Sequence, residues 1–432
     1  MRFILSLSAL SVLSFGVVSA PPRGPRYERA FTLKPKEGVF AYARISPDGK
    51  RLAYASQISA RPSAQRSWTV TAVDLTTKKT LFSEGGIDAY WSSDGTRVIY
   101  SGMGGVVIRN VVTNASTAYP EASALGDYFS WAVRDGKDLI MTIQSNYYYL
   151  SKDGPVLPHT KVTTCDGIGT GERPLISHDG TRISTFVKGI LVVRPLDNCS
   201  GIVNTHIQGS KADFSWDGRY IAFHAVKSAG TGYEIRIVDL EKKTVRTLPN
   251  LQGSALFPSW TKDGRLCFRY DGPDYRGFLV ASNVLDTPES PLPTVTEALP
   301  DERRWEDIFP ETPPAKGIRL VMIWAPWSAH SLEAFTNLEE ARDYFASRGA
   351  QFDAVAAADP GSRESDIASQ LEDFRVTIPR IPLTQRHLAL TEARNQMPTV
   401  MLFRDGMLID RKLGAQSFET LRDWVLSAAE KK

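Results

Sequence analysis

ISPDGKRLAY (residues 45–54), WSSDGTRVIY (91–100), WAVRDGKDLIM (131–141), ISHDGTRISTF (176–186), FSWDGRYIAF (214–223) and WTKDGRLCFRY (260–270) are six versions of one phrase. Each is a short apolar run, an Asp-Gly pair, and an alternating run rich in Val, Ile, Leu and aromatic residues. Asp-Gly between two such runs predicts a hairpin, because Gly accepts positive φ and Asp hydrogen-bonds within its own turn. The aspartates stand at 48, 94, 135, 179, 217 and 263, so the steps are 46, 41, 44, 38 and 46 residues. A period of roughly 40–45 residues holding about four strands is that of a β-propeller blade, and six copies predict six blades.

A second strand pair follows the hairpins, as in WTVTAVDLTTKKTLF (68–82) and YEIRIVDLEKKTVRTL (233–248). The sixth repeat has a third strand, GFLVASNVL (277–285), and then Pro-rich sequence in place of a fourth. YERAFTLKP (27–35) precedes the first repeat and is expected to close the ring as the outer strand of the last blade, which removes an exposed edge.

Residues 286–317 carry seven prolines and one possible helical turn, DERRWEDIF (301–309), a composition that favours an extended, semi-stiff linker. From residue 318 the pattern changes to alternating strands and helices. IRLVMIWAP and AQFDAVAAAD (350–359) read as buried strands, and SLEAFTNLEEARDYFASRG (331–349) and ESDIASQLEDF (364–374) as helices. A hairpin, TVMLFRDGMLIDRKLG (399–414), and a terminal amphipathic helix complete a small α/β sandwich.

The chain of 432 residues is long enough for two domains, and its net charge of +3 comes with no basic stripe, so nucleic acid is not indicated. Arg2, an apolar stretch over residues 3–18, and the small residues Ser19 and Ala20 form a secretory signal, too short to span a ~30 Å hydrocarbon core. Cleavage is expected after Ser19 or Ala20, giving a periplasmic or secreted protein with no membrane span.

The six repeats resemble the TolB-type or WD40-like (PD40) propeller repeats of bacterial envelope proteins, whose hallmark is S-P-D-G-x-x-[IL]-[AV]-[FY]. The likeness covers roughly residues 25–285 and implies a fold rather than an activity. Related propellers are fused to serine peptidases, but no G-x-S-x-G occurs here. Residues 318–432 resemble the TlpA-like branch of the thioredoxin fold, through MIWAPWSAHSL (322–332) and QMPTVMLFRDGMLIDRKLGA (396–415). In that family W-x-x-W-C-x-x-C carries the redox pair at a helix start, opposite a cis-proline. Trp324 and Trp327 are kept and Pro398 matches the proline, but Ser328 and Ser331 stand in the cysteine positions.

A hydroxyl cannot form a disulfide, and residues 268–432 contain no cysteine. Met322 stands where many relatives hold the buried acid that takes the thiol proton. Thiol–disulfide exchange is therefore not expected. Serine at a helix start is expected to cap backbone N–H groups rather than act as a nucleophile with His330. What the resemblance leaves is a peptide groove at Trp327, His330, Met397, Pro398 and Thr399, unless Trp327 and Met397 close over the vacated site.

Cys165 and Cys199, at strand–turn junctions of consecutive repeats, are expected to be bridged, the alternative being two free thiols, and Cys267 reads as a small core residue. The six histidines lack the paired spacing of metal ligands, and no cofactor is implied. The expected architecture is multidomain: signal peptide 1–20, an all-β six-bladed propeller over 21–285, a linker over 286–317, and an α/β thioredoxin-like domain over 318–432. The expected function is non-catalytic binding of an envelope protein or peptide by a monomer. The alternatives are a hydrolase or lyase with its site in the propeller channel, and a chaperone of thiol redox pathways.

Overall fold

The computed structural model describes residues 24–33, 40–57, 68–102, 105–119, 129–144, 147–152, 160–162, 172–187, 189–227, 232–295, 304–310, 316–384, 387–388 and 397–430. The expected signal segment lies outside them, as does Cys165. Half of the architecture follows from one turn used repeatedly. In five of the six Asp-Gly turns a Ser or Thr two residues before the Asp donates its hydroxyl to the carboxylate: Ser46, Ser92, Ser177, Ser215 and Thr261. The same oxygen accepts a backbone N–H from the returning strand, and the Gly takes positive φ, from 68° to 80°. The third copy has Val133 in place of the hydroxyl. It makes a tighter two-residue turn with both Asp135 (φ 53°) and Gly136 (φ 75°) left-handed.

These turns join the first two strands of six antiparallel units. Their innermost strands are Phe40–Ile45, the second half of Thr80–Trp91, Phe129–Arg134, Glu172–Ile176, Ser210–Phe214 and Ser254–Trp260. Each touches its two neighbours in cyclic order, and the last touches the first, so the arrangement is propeller-like. Strand Thr80–Trp91 runs from the rim of the first unit to the axis of the second, merging both into one seven-stranded sheet. Strand Arg26–Thr32 pairs antiparallel with Arg276–Ser282, giving the sixth unit the outer strand its own sequence lacks.

Adjacent units are stitched by polar contacts. Arg51 Nη1 reaches Gly95 O at 3.0 Å, Arg182 Nη1 reaches Gly218 O at 2.8 Å, and Lys262 N donates to Pro47 O at 2.8 Å across the closing seam.

The Pro-rich stretch is less free than its composition predicts. Ser290–Pro291 adds a fifth strand to the fifth unit, and Trp305–Ile308 forms a helical turn whose Trp305 is fully buried against Phe309 and Phe403. Trp305 N also donates to Gly406 O at 2.8 Å. Both ends of the segment are thus tied to folded neighbours, because each carries apolar or strand-forming residues among the prolines.

Residues beyond 316 form a five-stranded mixed sheet. Ile318–Trp324 lies at its centre, parallel to Phe352–Ala358 and antiparallel to Thr399–Arg404, which pairs with the edge strand Met407–Leu413. Helices Ala329–Ala346, Glu364–Asp373 and Phe418–Glu430 bury Leu332, Phe335, Ile367, Leu421 and Val425 against Leu320, Met322 and Trp324. The opposite sheet face, with Val321, Ile323 and Phe403, meets Trp305, Ile308 and Phe309.

Candidate functional site

Five innermost strands carry a bulge at the same place, where the register slips between Ala41 and Arg44, Ile87 and Tyr90, Glu172 and Leu175, Ser210 and Asp213, and Leu256 and Ser259. At three of these the bulged residue is left-handed although it is not glycine: Asp88, Lys211 and Phe257, at φ 59°, 55° and 54°. The bulges line a small cavity on the axis to which every unit contributes, through Arg44, Asp88, Phe129, Leu175, Lys211 and Phe257 among others.

Beside this cavity sits a buried polar cluster. Arg44 Nη1 lies 3.0 Å from Asp213 Oδ1, Tyr90 OH donates to the same oxygen at 3.2 Å, and Trp260 N donates to Asp213 Oδ2 at 2.8 Å. The Arg44 guanidinium is 5.0 Å from the centre of the Tyr90 ring. One carboxylate thereby holds together four units that are far apart in sequence. Burial, reinforced by Asp213, pushes the Tyr90 hydroxyl well above its ordinary range. His178 stacks on Trp216 at 3.8 Å with its Nε2 3.1 Å from Phe214 O, and burial lowers its pKa, which favours the neutral ring. Its Nδ1 has no hydrogen-bond partner among the described residues.

The second candidate is the serine corner. Ser328 precedes helix Ala329–Ala346, and its Oγ donates to Met397 O at 2.7 Å, next to the cis Met397–Pro398 bond. Ser331 Oγ accepts from Ala325 N at 3.3 Å. The expectation that serine caps the helix is corrected here: Ser328 occupies the cap position but makes no side-chain cap bond, because its side chain is directed to the Met397 carbonyl and so does not present its oxygen to the first-turn N–H groups. Ser328, Ser331 and Thr399 are buried, and His330 is half-buried on the first helical turn.

The groove expected over this corner is not open. Trp327 is 8% exposed and Met397 6%, and Trp327 points into the propeller. Its indole packs edge-to-face on Tyr233, Phe257 and His224, with ring centres 5.8, 6.0 and 6.3 Å away. Its Nε1 donates to Asp359 Oδ2 at 3.0 Å. Asp359, fully buried after strand Phe352–Ala358, also accepts from Gly361 N at 3.0 Å and Ser362 Oγ at 3.1 Å, while the Tyr233 hydroxyl faces it without ideal hydrogen-bond geometry. Burial raises the Asp359 carboxyl despite these donors.

Around this centre Ser254 Oγ donates to Gly361 O at 3.3 Å, Arg363 reaches Gly272 O, and Arg276 grips Asp366 with both Nη atoms at 2.9 Å. Gly361 is needed for close approach, since a Cβ there would sit 2.8 Å from Gly232 Cα.

Among the sequence-selected residues, Ser328 bonds to Met397, and Trp327 and Met397 pack with Tyr233 and Phe257, so this corner lies on a seam between the propeller-like units and the five-stranded sheet. Reading the sequence missed the propeller half of that seam, His224, Tyr233 and Phe257, and also Asp359. The usable signal was Asp359-Pro360-Gly361, an acid and a tight turn at the end of a buried strand. Cys199 is disulfide-bonded. Cys267 is a free, buried thiol that burial pushes up to about 12. Among the described residues no group of three or more His, Cys, Asp or Glu side chains is placed to hold a metal ion, and no helix is long and apolar enough to cross a membrane.

No protein family matches the chain by sequence, and no curated protein does. Similar solved structures include the β-propeller domain of Cps50 (Swd1) from Myceliophteria thermophila, at 12% identity over 60% of this chain and 99% of that one, with TM-score 0.39. TolB from Acinetobacter baumannii is similar at 18% identity over 58% of this chain and 65% of that one, with TM-score 0.37. An oligogalacturonate lyase in complex with manganese is similar at 13% identity over 62% of this chain and 84% of that one, with TM-score 0.39. These neighbours are β-propellers, and one of them is named as a lyase.

Proposed function

We propose that the chain is an exported, non-catalytic binding protein: a closed six-bladed propeller of the TolB type joined to a thioredoxin-like domain that has lost its redox pair. One observation carries the reading. Where that domain type would hold two sulfurs there are two buried hydroxyls, each engaged with a backbone group, Ser328 with Met397 O and Ser331 with Ala325 N. The propeller then supplies recognition of an envelope protein or peptide, and the C-terminal domain a second module.

The test is paired. Purified protein given insulin and dithiothreitol should leave the rate of insulin reduction at the uncatalysed level, and native co-purification from the envelope should return one stoichiometric partner. Clear turnover would end the non-catalytic reading, and a mixture of unfolded clients would favour the chaperone alternative. A hydrolase or lyase in the channel draws on Arg44, Asp213, Tyr90 and His178. Asp213, however, is engaged by Arg44, Tyr90 and Trp260, so the cluster reads first as a tie between blades.

A further inference from the structure

The surface of the C-terminal domain that would meet an extended peptide is in contact with this chain's own propeller. The contact has the properties of a bound ligand: an aromatic anchor enclosed by rings, charge complementarity, and buried hydrogen bonds. Trp327 is the anchor, held by Tyr233, Phe257 and His224. The bidentate Arg276–Asp366 pair at 2.9 Å, with side chains 13% and 17% exposed, fixes orientation. Ser254 and Gly361 bring the two backbones together. The Met397 carbonyl, which a client strand would otherwise engage, already accepts from Ser328.

We propose that the fifth and sixth propeller units act as an intramolecular ligand of the Trp327–Met397 corner, closing it in the resting chain and releasing it only when the two domains part. This rests on the thioredoxin-like reading for what the corner would hold, though not for the contact itself. A partner that binds the propeller near Phe257, which faces both the axial cavity and Trp327, is placed to compete with the docked domain.

The test uses the full chain and two variants on the seam. Asp366→Arg sets like charges against Arg276. Gly361→Val wedges a side chain against Gly232, where even a Cβ lacks room. Hydrogen exchange of the amides around residues 327–331 and 397–399 is expected to accelerate by roughly tenfold or more in both variants. Strands Ile318–Trp324 and Phe352–Ala358 should keep their protection, which shows that the domain remains folded. The exchanged pair Arg276→Asp with Asp366→Arg should recover much of the lost protection. Equal exchange in wild type and both variants would overturn the proposal, as would loss of protection throughout the domain.

Capture of reduced, carboxymethylated α-lactalbumin, an unfolded chain, separates the two layers. Capture by the opened variants and not by wild type supports the closed corner. Faster exchange with no capture would leave the docking intact and end the peptide-corner reading. Equal capture by wild type would overturn the closure.

Discussion

The Asp-Gly turns leave their aspartates at the surface and only partly desolvated, whereas the seam buries Asp359 fully, and the two treat the charge in opposite ways. At Asp48, Asp94, Asp179 and Asp263 burial pushes the carboxyl up, but a neighbouring hydroxyl and backbone N–H outweigh it, and each pKa ends below the usual range. At Asp359 the donors are as many, yet complete burial wins and the pKa rises. The turns are local: every partner lies within a few residues of the Asp. The seam gathers residues 224, 233, 257, 327 and 359 from two domains. Local satisfaction leaves the charge cheap to keep, whereas assembly from distant parts removes water that the remaining donors do not fully replace.

Trp327→Ala should show the largest effect, since it empties a buried aromatic site shared by both domains. A loss of about 3–5 kcal/mol is expected in urea unfolding, with the C-terminal domain melting apart from the propeller. A single unchanged transition would mean that the seam contributes little. Ser177→Ala should cost about 1 kcal/mol by removing one turn hydroxyl and its hydrogen bonds to Asp179 and Arg182. Val133→Ser, in the turn that closes without a hydroxyl, should gain nothing by the same measurement. If both changes were neutral, the Ser-x-Asp-Gly hydrogen bonds would not be what sets the turn.

The smallest effect is in pH dependence, and its sign differs between the regions. The turn carboxylates have lowered pKa values, so their stabilisation is present above the unfolded value of about 4 and is lost as pH falls through their folded values. Asp359 has a raised value, so its ionisation costs stability as pH climbs from about 4 through its folded pKa. Calorimetry of Asp359→Asn across that range should show a shallower decline with rising pH than wild type, with the acid limb unchanged. A steeper decline in the variant would reverse the assignment.

Much of the front of the chain was readable because each blade repeats one short-range device. Ser46, Asp48 and Gly49 form their turn from neighbouring residues, and four further copies with a hydroxyl and one with Val133 in its place make six Asp-Gly turns. Pairing of Arg26–Thr32 with Arg276–Ser282 was also legible, because one repeat lacked a strand and one strand lacked a repeat. At the serine corner the sequence pointed to Trp327, Ser328 and Met397 but not to their surroundings. Trp327 in a thioredoxin-like motif reads as exposed or as folded over its own site. Nothing local indicates that His224, Tyr233 and Phe257 will come to meet it.

The order of residues alone determined the repeat, its turn chemistry, the closing strand and the absence of sulfur at positions 328 and 331, since each depends on neighbours or on simple counting. Tertiary structure decided that Asp213 ties together the units of Arg44, Tyr90 and Trp260, and that the Trp327–Met397 corner faces the propeller-like units. Those outcomes depend on which surfaces exclude water from one another, and that is a property of distances between residues many tens of positions apart in the chain.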